Sequence, residues 1–158
     1  MGYINCCTNL NHIACDKFVP IIKLIGIYIE VVTLSTVLIV DDSETVRTQL
    51  RRTFEEGEFN VLEAENGRVG LDVLKKNASI IDVILCDINM PEMDGLEMVK
   101  LVHEDEEINK IPIFMLTTEA SKASKMMGKE SGVKAWITKP FKPEKVLGAV
   151  LKIVKKAS

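Results

Sequence analysis

Val37-Leu38-Ile39-Val40-Asp41-Asp42-Ser43 is the stretch that decides the fold. Four aliphatic residues run on without a polar interruption, and three of them are β-branched. That is the composition of a strand buried on both faces, as happens where helices cover both sides of a parallel sheet. Two carboxylates then end the run, and Ser43 is suited to cap a helix through Thr53. Val46, Leu50 and Phe54 fall on one stripe of that helix, and Gly57 is its stop. Strand, acidic turn and amphipathic helix together make one βα unit.

The pattern continues along the chain. Further short apolar runs are Val61-Leu62, Ile80-Ile81-Asp82-Val83-Ile84-Leu85, Ile113-Phe114-Met115-Leu116 and Ala135-Trp136-Ile137. The spacing predicts helices near 67–76, 95–104 and 119–130, and a last one from Pro143 to about Lys155 with Leu147, Val150, Leu151 and Val154 inward. Alternation of this kind implies an α/β fold, a doubly wound five-stranded parallel sheet with five helices. The first, third and fourth runs are the most continuously apolar and should be central. The second and fifth are shorter and should be edges.

The composition fits one globular domain. The 158 residues are 47% hydrophobic and 27% charged, with a net charge of −3. This balance offers no basic footprint, so no nucleic-acid partner is expected. Cys6, Cys7 and Cys15 crowd the N-terminus and Cys86 sits in an apolar run. No disulfide framework is visible, which favours a reducing compartment and a cytoplasmic location.

Residues 1–35 differ from the remainder: they carry four charges, Asp16, Lys17, Lys23 and Glu30. Phe18 to Leu34 resembles a membrane anchor, but Lys23 and Glu30 would each cost about 2.5–3.5 kcal/mol at mid-bilayer, so anchoring is not expected. A signal peptide lacks its basic n-region, and Cys6 stands where myristoylation needs Ser or Thr. Cys6, Cys7, His12 and Cys15 lack paired zinc-ligand spacing and read as free thiols. The division expected is therefore 1–35 as an atypical apolar extension and 36–158 as the domain. The next methionine after Met1 is Met90, so the extension is also consistent with a mis-assigned start, the true initiator being a non-ATG codon at Val32 or Leu34. The intact mass of the native protein tests this.

In an open α/β sheet, ligands bind beyond the carboxyl ends of the strands. The residues that end the runs are Asp41-Asp42, Asp87, Thr117-Thr118 and Lys139-Pro140, all polar apart from the proline. Each carboxylate alone could be a helix cap or a loop acid. Three converging would repel one another, and a bound cation is the economical way to keep them ionised. Oxygen-only ligands with room for water suit Mg2+ better than a full calcium cage. A carboxylate beside Mg2+, a hydroxyl at Thr117 and an ammonium at Lys139 are the parts a phosphoryl transfer needs, with an aspartyl phosphate as product.

VLIVDDS at 37–43, CDINMPEMDG at 86–95, MLTTEA at 115–120 and Lys139-Pro140-Phe141, in this order, resemble the signatures of response-regulator receiver domains, single-domain and chemotaxis-like. The resemblance covers 36–157. It implies a flavodoxin-like strand order 2-1-3-4-5. It also implies Asp87 as phosphoryl acceptor, with Asp42 and Asp87 as direct Mg2+ ligands, Asp41 acting mainly through water and the Asn89 carbonyl completing the set. Thr117 and Lys139, the latter before a cis proline, would hold phosphoryl oxygens. Trp136 would fill the space that Thr117 leaves, and Asn89 and Glu119 would tune dephosphorylation towards a short-lived signal.

The function expected is a two-component signalling switch rather than an enzyme, acting by protein contact and most plausibly in chemotaxis. Its partners would be a sensor histidine kinase or histidine phosphotransfer protein, and a flagellar motor switch or other output protein. A phosphotransfer intermediate or phosphate sink is the near alternative. A Mg2+-dependent phosphohydrolase would need an acid where Asn89 stands. A receiver working unphosphorylated should have lost a motif residue, and none is missing.

Overall fold

The computed structural model describes residues 34–118 and 132–157. Residues 1–33 and the helix expected at 119–130, Glu119 included, lie outside the described residues. The elements are β1 (Thr36–Val40), α1 (Glu44–Glu56), β2 (Asn60–Ala64), α2 (Gly67–Asn77), β3 (Ile81–Asp87), α3 (Gly95–Glu104), β4 (Ile113–Thr117), β5 (Val133–Thr138) and α4 (Pro143–Ala157). All pairings are parallel, and the strand order is β2-β1-β3-β4-β5. This is the doubly wound order implied by the resemblance, with four helices among the described residues.

Burial follows strand position. β1 and β4 are buried throughout and β3 nearly so, whereas the edge strands β2 and β5 are mostly half-buried. Side chains alternate across a strand, so each central strand feeds two cores. Leu38, Val40, Ile84, Cys86 and Met115 face one side with Leu71, Leu74, Met98 and Val102. Val37, Ile39, Val83, Leu85, Phe114 and Leu116 face the other with Leu50, Phe54, Val146 and Val150. Each large aliphatic or aromatic side chain so buried contributes about 1.5–3 kcal/mol.

The cap read from sequence at Ser43 is present, and two more helix starts are capped in the same way. Ser43 caps α1, its hydroxyl accepting from the Val46 N–H at 3.4 Å. Asn66 and Asp94 cap α2 and α3, accepting from Val69 N–H at 2.9 Å and Glu97 N–H at 2.8 Å. Two boundaries differ. Helix α1 runs to Glu56, past Thr53, with Gly57 closing it by donating to the Thr53 carbonyl at 3.1 Å. The inward face of α4 is wider than read from sequence: Val150 is buried and Leu147, Leu151 and Val154 pack half-buried against the same core as expected, and Val146, not among the residues read as inward, is buried too. Leu147 also lies against Gly57, where an added Cβ would come within 2.8 Å of its Cδ2. A helix seated between the sheet and α1 has two directions to fill, and a single stripe describes only one.

Candidate functional site

The parallel register assembles the site. Val40 pairs with Cys86 across β1 and β3, so the residues that follow, Asp41 and Asp87, emerge side by side. Neighbouring strands are about 4.8 Å apart, which brings two carboxylates together at the carboxyl edge of the sheet. Asp87 pairs with Leu116 across β3 and β4, so Thr117 emerges one position beyond it. Thr117 in turn pairs with Thr138, and the Lys139 N–H extends that ladder to the Thr117 carbonyl at 2.7 Å. The residues that ended separate apolar runs in the sequence thus line one edge.

Carboxylate oxygens of Asp41, Asp42 and Asp87 all lie within 4.8 Å of one another. Asp41 and Asp87 are buried and Asp42 is exposed. Because Ser43 supplies the cap of α1, neither Asp41 nor Asp42 is engaged in capping. Asp41 Oδ1 accepts from the Ser43 N–H at 3.0 Å, which fixes its side chain. The Lys139 ammonium reaches across the cluster, 2.7 Å from Asp41 Oδ2 and 3.1 Å from Asp87 Oδ1. The sequence reading gave Lys139 a phosphoryl oxygen as partner; here the ammonium pairs with both carboxylates, more closely with Asp41.

Burial pushes the Asp87 carboxyl above the usual carboxylate range, and the neighbouring charge of Asp41 adds to this, while Lys139 opposes it. Burial works against the Lys139 ammonium too. Its hydrogen bond to Asp41, together with the charges of Asp41 and Asp87, outweighs that and holds its pKa above the ordinary value. Cys86, wholly buried, is pushed far up, first by desolvation and then by Asp87, so it has no thiolate character.

A single ammonium facing three carboxylates leaves two negative charges uncompensated. The donor set is all oxygen and one member, Asp42, opens to water. These features suit a hard divalent cation that keeps part of its hydration shell, the behaviour of Mg2+. Asp41, Asp42 and Asp87 are the residues that could hold it.

The remaining expected site residues are distributed around this centre. Asn89 is exposed at the start of the β3–α3 connection, after Ile88 donates to the Leu116 carbonyl at 3.2 Å. Thr117 is fully buried. Trp136 pairs with Met115, so Trp136 and Thr117 fall on the same face of the sheet, one residue pair apart along it, with Trp136 half-buried against the methionine-rich core. The Lys139–Pro140 peptide is cis, as the resemblance implied. Glu119 lies outside the described residues. Arg47 was not among the site residues read from sequence, yet its guanidinium contacts the loop carrying both aspartates. Its only sequence signal is its place one turn into α1, which many surface arginines share.

Comparison with known proteins decides the family, since a model of the response regulator receiver domain matches residues 37–151. The chain belongs to the response-regulator receiver family. Such domains act as signalling switches. This receiver is 44% identical over 108 residues to a chemotaxis protein CheY homolog of Campylobacter jejuni, covering 68% of this chain and 82% of that one. It is 43% identical over 118 residues to the chemotaxis protein CheY1 of Helicobacter pylori, covering 74% and 94%. Among solved structures, the chemotaxis response regulator CheY4 of Vibrio cholerae matches with a TM-score of 0.70 and 39% identity, covering 77% of this receiver and 99% of that chain. Similar segments occur within larger proteins: a sensor histidine kinase CheAY of Helicobacter pylori is 37% identical over 119 residues, which are 15% of its length.

Proposed function

We propose that this receiver is a cytoplasmic phosphorylation-activated switch of chemotaxis in which Asp87 accepts the phosphoryl group. The observation that carries the reading is the Lys139 ammonium between Asp41 and Asp87. It compensates one negative charge at the acceptor edge and leaves two for a divalent cation to balance. Asp41, Asp42, Asp87 and the Asn89 carbonyl are the groups that would hold Mg2+. Bound there, Mg2+ supplies neutralisation of the charge carried by the transferring group.

The work of the chain itself follows from charge. Phosphorylated side chains carry about −1.5 to −2 charges, so a phosphoryl group on Asp87 attracts the ammonium of Lys139 and the hydroxyl of Thr117. Thr117 moving towards Asp87 frees space on the face that it shares with Trp136, and the indole turns into that space. The likeness to chemotaxis proteins supports a motility pathway, with a histidine kinase or phosphotransfer protein as donor and a motor switch or other output protein as target. Asn89 and Glu119 orient water for loss of the group. We take residues 36–158 as the switching unit.

The test is incubation with acetyl phosphate or phosphoramidate and Mg2+, followed by intact mass and Trp136 fluorescence. Wild type gains one phosphoryl group with a fluorescence change, and Asp87→Asn gains neither. Absence of a phosphoryl adduct or of the fluorescence change in wild type, or modification of Asp87→Asn to the wild-type extent, would overturn the proposal.

A further inference from the structure

We propose that Arg47 is a positioning residue for the divalent cation, a clamp on the backbone of the two ligand-bearing residues Asp41 and Asp42, itself anchored by Glu63. The inference rests on the metal reading above. Arg47 Nη1 donates to the Asp41 carbonyl at 2.8 Å and to the Asp42 carbonyl at 3.3 Å. Its Nε lies 3.8 Å from Glu63 Oε1 on β2, and Arg51 Nη1 lies 3.5 Å from Glu63 Oε2. The Arg47 side chain is only 16% exposed, so this is a held geometry and not a solvated surface charge.

The loop is therefore gripped through both kinds of backbone group. The Asp41 N–H donates to the Ala64 carbonyl of β2 at 3.1 Å. The Asp41 and Asp42 carbonyls accept from Arg47, which is itself anchored by the residue preceding Ala64. A guanidinium in the first turn of a helix sits at the unfavourable end of the helix dipole. A cation beside a cation site also repels the ion to be bound. Glu63, shared with Arg51, offsets both effects in part and holds the fork in place. A lysine in its place is a compact point charge on a flexible stem and cannot hold the two carbonyls and Glu63 together.

Positioning and simple electrostatics predict opposite signs. Were Arg47 merely a nearby positive charge, Arg47→Gln would tighten cation binding. If Arg47 is a clamp, the same change frees the Asp41-Asp42 backbone and weakens binding, by about tenfold as is typical when a group orienting metal ligands is lost. The charge-balanced double variant Arg47→Gln/Glu63→Gln separates the two further, because it leaves the net charge unaltered. The probe is Mn2+, titrated into the full chain and followed by the electron paramagnetic resonance of the free ion, with urea midpoints measured in parallel.

Expected results are weaker Mn2+ binding in Arg47→Gln and in the double variant, with a smaller loss in Arg47→Lys and urea midpoints near that of wild type. Should Arg47→Gln lower the midpoint enough to obscure binding, the reduced affinity of Arg47→Lys carries the test. Wild-type affinity or tighter binding in Arg47→Gln, or in Arg47→Lys when that variant stands alone, overturns the clamp and leaves the metal reading intact. Absence of Mn2+ binding by wild type overturns both.

Discussion

Lys139 donates to the carboxylate of Asp41 at 2.7 Å although the two residues are 98 positions apart in the chain. The ammonium closes an acidic edge that the strand register would otherwise leave as a repulsive pair of buried carboxylates. Removing one partner of a buried charged group typically costs about 3–5 kcal/mol. Lys139→Met is therefore expected to destabilise the metal-free protein by about 3 kcal/mol in urea unfolding with a chelator present, with part of the loss recovered in Mg2+. A midpoint equal to that of wild type in chelator would show that the bridge contributes nothing.

The pH dependence has a definite sign. Asp87 has a folded pKa raised above its ordinary 3.8, so between that value and its folded pKa the native state holds more protons than the unfolded chain. Its contribution is thus destabilising, absent in acid and growing as pH rises through this window. Asp87→Asn removes this contribution, so its stability relative to wild type is expected to rise as pH rises through the window. Lys139, raised above 10.5, adds stability that is complete below that pH and lost only on titration through its folded pKa. Urea midpoints of both proteins in chelator, taken across pH, check the sign.

Metal binding should be readable as stability. A ligand at one hundred times its Kd adds about 2.7 kcal/mol. Mg2+ is expected to raise the melting temperature of wild type progressively with concentration. Asp42 is exposed, so Asp42→Asn should change the metal-free stability by less than about 0.5 kcal/mol while abolishing most of the Mg2+-dependent rise. A rise of full size in that variant would exclude Asp42 as a ligand.

Gly95 is the most constrained position beside the acceptor. Its N–H donates to the Ile88 carbonyl at 2.9 Å, and an added Cβ would overlap the Asp87 carbonyl oxygen. Gly95→Ala must displace the backbone of Asp87, Ile88 or α3, and overpacking of this kind costs about 1–3 kcal/mol. The expected outcome is a lowered urea midpoint together with slower labelling by acetyl phosphate in the fraction still folded. Labelling at the wild-type rate would mean that the acceptor tolerates the shift.

Much of this arrangement was legible in the chain. Val37 to Val40 read as a doubly buried strand because four aliphatic residues leave no face for water, and Ser43 read as a cap because its residue type stands just before an amphipathic stripe. The strand ends Asp41, Asp42, Asp87, Thr117 and Lys139 stood out as polar residues closing apolar runs. The omission of Val146 from the inward face of α4 has a different origin. Val146 and Leu147 are adjacent on a helix whose surroundings are the sheet on one side and Gly57 on another, and periodicity alone ranks neither.

Local order was thus written into the amino acids themselves: apolar spacing, branched side chains, caps and stops determine strands and helices because they act between near neighbours. What only the tertiary structure decided is which strand ends meet. The pairing of Val40 with Cys86 sets Asp41 beside Asp87, the ladder from Thr117 to Lys139 brings the ammonium to them, and Arg47 turns back upon the loop beside Glu63. Those relations arise from hydrogen-bond register and from burial of two sheet faces at once, which couple residues far apart in sequence and leave no trace in any short window of it.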